Sequence, residues 1–223
     1  MGESITLTAE GGHQFDAYLA NAAGDVKGRL VVFQEIFGVN NHIRNVCDRF
    51  AADGYTSLAP ALFDRVERNV ELGYTAETME QGRALRARIE WDDTIRDARA
   101  AIDHLRGEGP VGVIGYCWGG SVVWLAACRI EGLACASGYY GAQVAMFNDE
   151  QPTCSTMLHF GEHDPFIPLD DVEKVRAAHP DVTVHVYKGA DHGFECDERA
   201  TYDEASRNLA RLRSLALFAQ HMS

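Results

Sequence analysis

Apolar positions along this chain recur with two different periods, and the switches between them mark the elements. Ser4–Ala9 and Phe15–Ala20 read as two strands joined by a turn at Gly11-Gly12, an N-terminal antiparallel hairpin at a sheet edge. Arg29–Gln34 is an unbroken apolar run of the kind found in strands buried on both faces. The period then lengthens. Ile43, Val46, Cys47, Phe50 and Ala51 share one helical stripe that Gly54 terminates. Thr56–Ala59 is a short strand ending at Pro60, and the polar stretch Asp64–Tyr74 reads as a loop over one face. Two helices fill Thr75–Arg106; the second carries Trp91, Ile95, Ala98, Ile102 and Leu105 and closes at Gly107.

Beyond it, Val111–Ile114 is a strand and Ser121–Cys128 a buried helix. Cys135–Tyr139 and Thr156–Phe160 are strands, Asp171–Ala178 a helix, and Val182–Tyr187 a strand. Glu204–Gln220 closes the chain as an amphipathic helix carrying Leu209, Leu212, Leu215 and Phe218. Strands alternating with helices imply right-handed crossovers and a mostly parallel central sheet with helices on both faces. In such sheets ligands bind at the carboxyl ends of the strands, so chemistry is expected just after strands.

Composition narrows the partners. Hydrophobic residues make up 46% and charged residues 24% of 223 residues, as in an ordinary globular domain. With 20 Lys+Arg against 33 Asp+Glu the formal net charge is −13, which argues against nucleic acid and anionic membrane surfaces as partners. No apolar stretch approaches the roughly 18 residues of a membrane span. The opening Met-Gly-Glu-Ser-Ile-Thr lacks the basic and apolar regions of a secretory signal, and fits the myristoylation pattern only loosely. Cys47, Cys117, Cys128, Cys135, Cys154 and Cys196 form no C-x-x-C pair, which suits reduced thiols in a cytoplasmic protein.

One of these cysteines stands in an unusual setting. The strand Val111–Ile114 runs into Gly115-Tyr116-Cys117-Trp118-Gly119-Gly120 and then a helix: the G-x-S-x-G nucleophile elbow with Cys in place of Ser. The turn projects the nucleophile at the top of the sheet with its sulfur near a helix N-terminus, where partial positive charge favours thiolate. Two post-strand loops supply the rest. Gly161-Glu162-His163-Asp164-Pro165 carries Asp164, and Gly189-Ala190-Asp191-His192-Gly193-Phe194 carries His192. Nucleophile, acid, histidine is the chain order of the α/β-hydrolase triad, and a thiol needs a base just as an imidazole needs a carboxylate to hold its tautomer. Asp191 is the rival acid, but its place beside the histidine fits that order less well. His159 and His163 are spaced H-x-x-x-H, yet on a strand running into a loop they share no face, so no metal is expected. Glu35, in Gln34-Glu35-Ile36-Phe37-Gly38 after the buried strand, is either a solvated loop acid or a buried one able to exchange a proton with the thiol.

With these residues in view the chain resembles the dienelactone hydrolase family (carboxymethylenebutenolidase-like enzymes). The matching segments are QEIFGVN at Gln34–Asn40, GYCWGG at Gly115–Gly120, YYG at Tyr139–Gly141, GEHDPFIP at Gly161–Pro168 and ADHGF at Ala190–Phe194. The resemblance implies an α/β-hydrolase fold without a large lid domain and a Cys117–His192–Asp164 triad. It implies that Glu35 contacts the resting thiol and helps activate it, with the backbone N–H groups of Ile36 and Trp118 as the oxyanion hole. It also implies cytoplasmic action without a cofactor on a small ester or lactone. Best-known members hold a substrate carboxylate with two arginines. Here Cys196 stands where one is expected, with Arg199 the next candidate, and Met79 near the other, with Arg83 a turn away. Phe37, Tyr140, Phe194, Arg83 and Arg199 are therefore the substrate-binding candidates. A monomer or weak homodimer, folded as one domain over residues 1–223, is expected. The competing readings are a general carboxylesterase or thioesterase on the same triad, and a catalytically silent ligand-binding or redox-sensing module.

Overall fold

The computed structural model describes residues 2–222, and the chain divides into two compact units, residues 1–111 and 112–223. In the first unit β1 (Glu3–Thr8) and β2 (Gln14–Ala20) form the expected hairpin, with Thr8 opposite Gln14. Gly11 and Gly12 take φ of 87° and 84° at its turn, backbone that a side chain would strain. β2 runs antiparallel to β4 (Tyr55–Pro60), which is parallel to β3 (Gly28–Phe33), giving the order β1-β2-β4-β3. Every residue of β4 and nearly all of β3 is buried, so both faces of these strands are covered. Helix α1 (Asn41–Ala52) is capped by Asn40, whose side chain accepts from the Ile43 N–H, and Gly54 follows its end at φ 96°. Helices α2 (Ala76–Arg86) and α3 (Trp91–Arg106) occupy the predicted helical stretch, the former opened by a Thr75/Thr78 capping box.

The polar stretch after β4 is less irregular than its composition suggested. Its first residues, Asp64 and Arg65, complete a 3-10 turn, Leu62–Arg65. Arg65 grips the buried Asp97 of α3 through two hydrogen bonds of 2.9 and 2.8 Å, and Asp64 accepts from the Asp16 N–H at 2.8 Å. The charged residues are thus tied down by an ion pair and a backbone hydrogen bond beside the buried Leu62 and Phe63.

In the second unit β5 (Val111–Tyr116), β6 (Cys135–Tyr139), β7 (Ser155–Gly161) and β8 (Thr183–Tyr187) pair in parallel in that order. Helix α4 (Trp118–Arg129) begins three residues earlier than its apolar run predicted and takes Gly119 and Gly120 into its first turn. It is buried from Trp118 to Ala127, as a helix apolar all round must be. Helix α5 spans Leu169–Ala178 and α6 spans Glu204–Met222. The segment between β6 and β7 is strapped along α4. Gln143 bonds Ser121, the Phe147 carbonyl accepts from the Trp124 indole, Glu150 pairs with Arg129, and Thr153 bonds the Ala127 carbonyl.

One expected face is corrected. Leu209 and Leu212 of α6 are 46% and 66% exposed, and the buried face is Ser206, Ala210, Ser214, Leu217 and Phe218. Leu209 and Phe218 are nine residues apart, which at about 100° per residue puts them on opposite sides of a helix.

Candidate active site

The structure gathers Cys117, Asp164 and His192 within the second unit. Cys117 sits in the one-residue turn between β5 and α4 with φ 54° and ψ −115°, a backbone conformation that costs a non-glycine residue about 1–3 kcal/mol. Its surroundings over-determine that conformation. The Cys117 N–H donates to the Tyr139 carbonyl at 3.0 Å, and its own carbonyl accepts from the Gly120 N–H at 3.0 Å. A Cβ on Gly120 would lie 2.2 Å from the Tyr139 oxygen, so glycine alone lets α4 close on the end of β6. The sulfur is carried on the N-terminus of α4, where the first amides have no intrahelical acceptor and the local charge is partly positive.

Asp164 and His192 are brought together by a close crossing of two loops. A Cβ on Gly161, the last residue of β7, would lie 2.4 Å from the Ala190 carbonyl. The His163 N–H donates to that carbonyl at 2.9 Å, and the Glu162 carboxylate accepts from the Gly189 N–H at 2.8 Å. Asp164 and His192 are both buried, with the Asp164 carboxylate 2.7 Å from His192 Nδ1 and its other oxygen accepting from the Phe166 N–H. The Thr201 hydroxyl fixes the His192 carbonyl at 2.8 Å. Asp191, the rival acid, is half-buried; the acid on His192 is Asp164.

Burial by itself would push the His192 imidazolium below its ordinary range. The Cys117 side chain, hydrogen-bonded to the ring, and the Asp164 carboxylate outweigh that burial, and His192 is pushed up to about 9. The ring lies between the Cys117 side chain and the Asp164 carboxylate, both of which favour its protonated form.

Behind the triad lies a buried network that the sequence reading did not single out. His159 is wholly buried, and burial holds it well below its ordinary range, hence neutral. Its Nδ1 meets the Tyr187 hydroxyl at 2.7 Å, and its Nε2 meets the Ser137 and Ser214 hydroxyls at 3.2 Å each. Ser214 also joins the Tyr139 hydroxyl at 2.8 Å. The backbone of these same residues holds the site: Tyr139 accepts from Cys117, and the His159 carbonyl accepts from the Tyr140 N–H at 2.7 Å. The available signal was the i, i+4 spacing of Ser206, Ala210 and Ser214, which sets small residues along one face of α6. His163, by contrast, is exposed and pairs with Glu162.

The remaining predicted residues fall in several settings. Tyr140 and Phe194 are fully buried in the second unit, the Tyr140 ring 4.9 Å from His192 and 5.3 Å from Phe194. Arg199 lays its guanidinium against Gly193, where a Cβ would lie 2.5 Å from its nitrogen. Trp118 opens α4 and is buried. In the first unit Glu35 is completely buried, not solvated, and accepts from the Tyr74 hydroxyl at 3.0 Å. Phe37 is buried edge-on to Tyr74 at 4.6 Å. Ile36 is half-exposed, its carbonyl so close to α2 that a Cβ on Gly82 would lie 2.0 Å away. Arg83, on the same helix, is exposed and pairs with Glu80 at 2.7 Å.

Parallel strands alternating with helices, an elbow after β5 and an acid and a histidine after β7 and β8 define an α/β hydrolase. A solved structure from Klebsiella pneumoniae, provisionally named a dienelactone hydrolase, superposes with a TM-score of 0.81 at 29% identity, covering 98% of this chain and 99% of the other. The model of the Dienelactone hydrolase family matches residues 15–222, and the chain belongs to that family. Two proteins provisionally named carboxymethylenebutenolidase are similar along most of their length. One from Synechocystis sp. is 39% identical over 193 residues, 78% of each chain; one from Azospirillum brasilense is 34% identical over 230 residues, 98% of each. The protein is accordingly an ester or lactone hydrolase of the dienelactone hydrolase class.

Proposed function

We propose that this hydrolase cleaves a small ester or lactone through Cys117 as nucleophile, with an acyl-thioester intermediate. The observation that carries the reading is the buried His192 ring, 2.7 Å from the Asp164 carboxylate at Nδ1 and hydrogen-bonded to the Cys117 side chain. Attack starts from the thiolate–imidazolium pair. The sulfur adds to the carbonyl carbon, and the oxyanion that forms is met by the Trp118 N–H at the N-terminus of α4 and, by family membership, the Ile36 N–H. As the carbon–oxygen bond breaks, His192 gives its proton to the leaving alkoxide. The neutral ring then takes a proton from water, hydroxide adds to the thioester, and the thiolate departs, restoring the pair. Asp164 holds the ring's tautomer throughout. Glu35 is proposed, on family membership, as the carboxylate that helps the thiol reach its ionised state.

The test is direct. With a slowly hydrolysed ester, intact-mass spectrometry should find one acyl group on Cys117. Cys117→Ala should show no acylation and turnover lowered by a factor of about 10³ or more, with its thermal melt retained. Turnover equal to wild type in that variant refutes the assignment. Arg199 favours a second reading, in which the substrate carries a carboxylate, because its guanidinium lies beside the residue that follows His192.

A further inference from the structure

Phe166 is a large apolar side chain left 48% exposed beside the buried His192–Asp164 pair. Its ring stands edge-on to the His192 imidazole, 5.2 Å between centroids at 90°, and its N–H donates to Asp164. Three residues on, Leu169 opens α5 and is 40% exposed. Across from them lies the turn Val144–Phe147, which packs on α5 and exposes Met146. Between this turn and α5 runs a crevice lined by Gly141, Val144, Ile167 and Val172, with a volume of about 10 Å³. That holds no more than a water, so the crevice itself takes no substrate group, and the exposed side chains beside it are what an apolar group could cover.

Besides the His192 ring, the charges nearby are mostly acidic: Asp170 and Asp171 in the first turn of α5, the latter paired with Lys174, and Glu162 before the triad acid, which faces His163. An anionic group is disfavoured there, and a neutral apolar one covers the exposed side chains. The position also fixes which end of a substrate is involved. His192 hands its proton to the departing alcohol, so a ring packed on His192 flanks the leaving group, whereas the acyl group stays with the sulfur.

We propose that Phe166, with Leu169, forms a binding rim for the apolar alcohol portion, aryl or branched alkyl, of a neutral ester substrate. This deepens the ester-cleaving reading above and rests on it. Benzyl acetate and methyl acetate share an acyl group and release alcohols of nearly equal acidity, so the ratio of their kcat/KM values reports leaving-group binding. In the wild type that ratio should be roughly tenfold or more. It should fall several-fold in Phe166→Ser and in Leu169→Ser, the latter an exposed site that guards against misfolding. A ratio unchanged within about twofold in both variants, while turnover still requires Cys117, overturns the rim alone. A loss that instead follows the acyl chain, methyl hexanoate against methyl acetate, overturns the assignment to the alcohol. If wild type and Cys117→Ala hydrolyse every ester equally, the ester-cleaving reading fails and takes the rim with it.

Discussion

His192 is where burial and charge pull in opposite directions, and charge prevails. Its folded value of about 9 stands above the ordinary 6.5, so the imidazolium is favoured by folding. The stabilisation is fully present below pH about 6.5 and is lost as pH rises through about 9. Melting temperature followed against pH should therefore show wild type losing its advantage over His192→Gln across that interval. The same titration should cut kcat/KM for a neutral ester above pH about 9, because a neutral ring cannot protonate the leaving alkoxide. An advantage that grows with pH contradicts the assignment. The three residues behind this argument are legible in the sequence because each lies one to five residues past a strand, in a segment whose glycines permit close turns. Glu35 was only half legible. Its neighbours suggested burial, but the partner Tyr74 lies in a loop whose position no period encodes.

At the scale of elements, strands were easier to read than helix faces. The sequence places β6 at its observed bounds, and β7 and β8 to within a residue, because short runs of β-forming residues between turn residues leave little choice. α4 was begun too late because Gly119 and Gly120 are poor helix formers in isolation, and close packing against β6 overrides that preference. On α6 the expected stripe is right at Phe218 and wrong at Leu209 and Leu212. A stripe every third residue winds around a helix, while Ser206, Ala210, Ser214 and Leu217 follow the true repeat. Ser214 is buried in a hydroxyl network with Tyr139, Ser137 and His159, so polarity there signals a partner and not solvent. Chemical denaturation should separate the two faces. Ser214→Leu should cost about 1–3 kcal/mol, through overpacking and stranded hydroxyls, whereas Leu212→Gln should stay within about 0.5 kcal/mol. The reverse order would restore the leucine stripe as the packed face.

Across the whole molecule, alternating periods were enough to give the α/β class, and the −13 charge affects how substrates arrive. A field of that sign repels anions, and salt screens it. An ester bearing a carboxylate should therefore be turned over with lower kcat/KM than its neutral counterpart at low ionic strength, the gap narrowing as salt rises. A gap that widens with salt would point instead to a placed cation such as Arg199. The backbone at Cys117 has a consequence of another kind. Its φ of 54° is one that glycine adopts without cost and cysteine does not, so replacing the nucleophile by glycine would relax the turn and silence the chemistry together. Selection for robustness and selection for turnover thus point to different residues at this position, and a lineage freed from the second would drift away from cysteine here first.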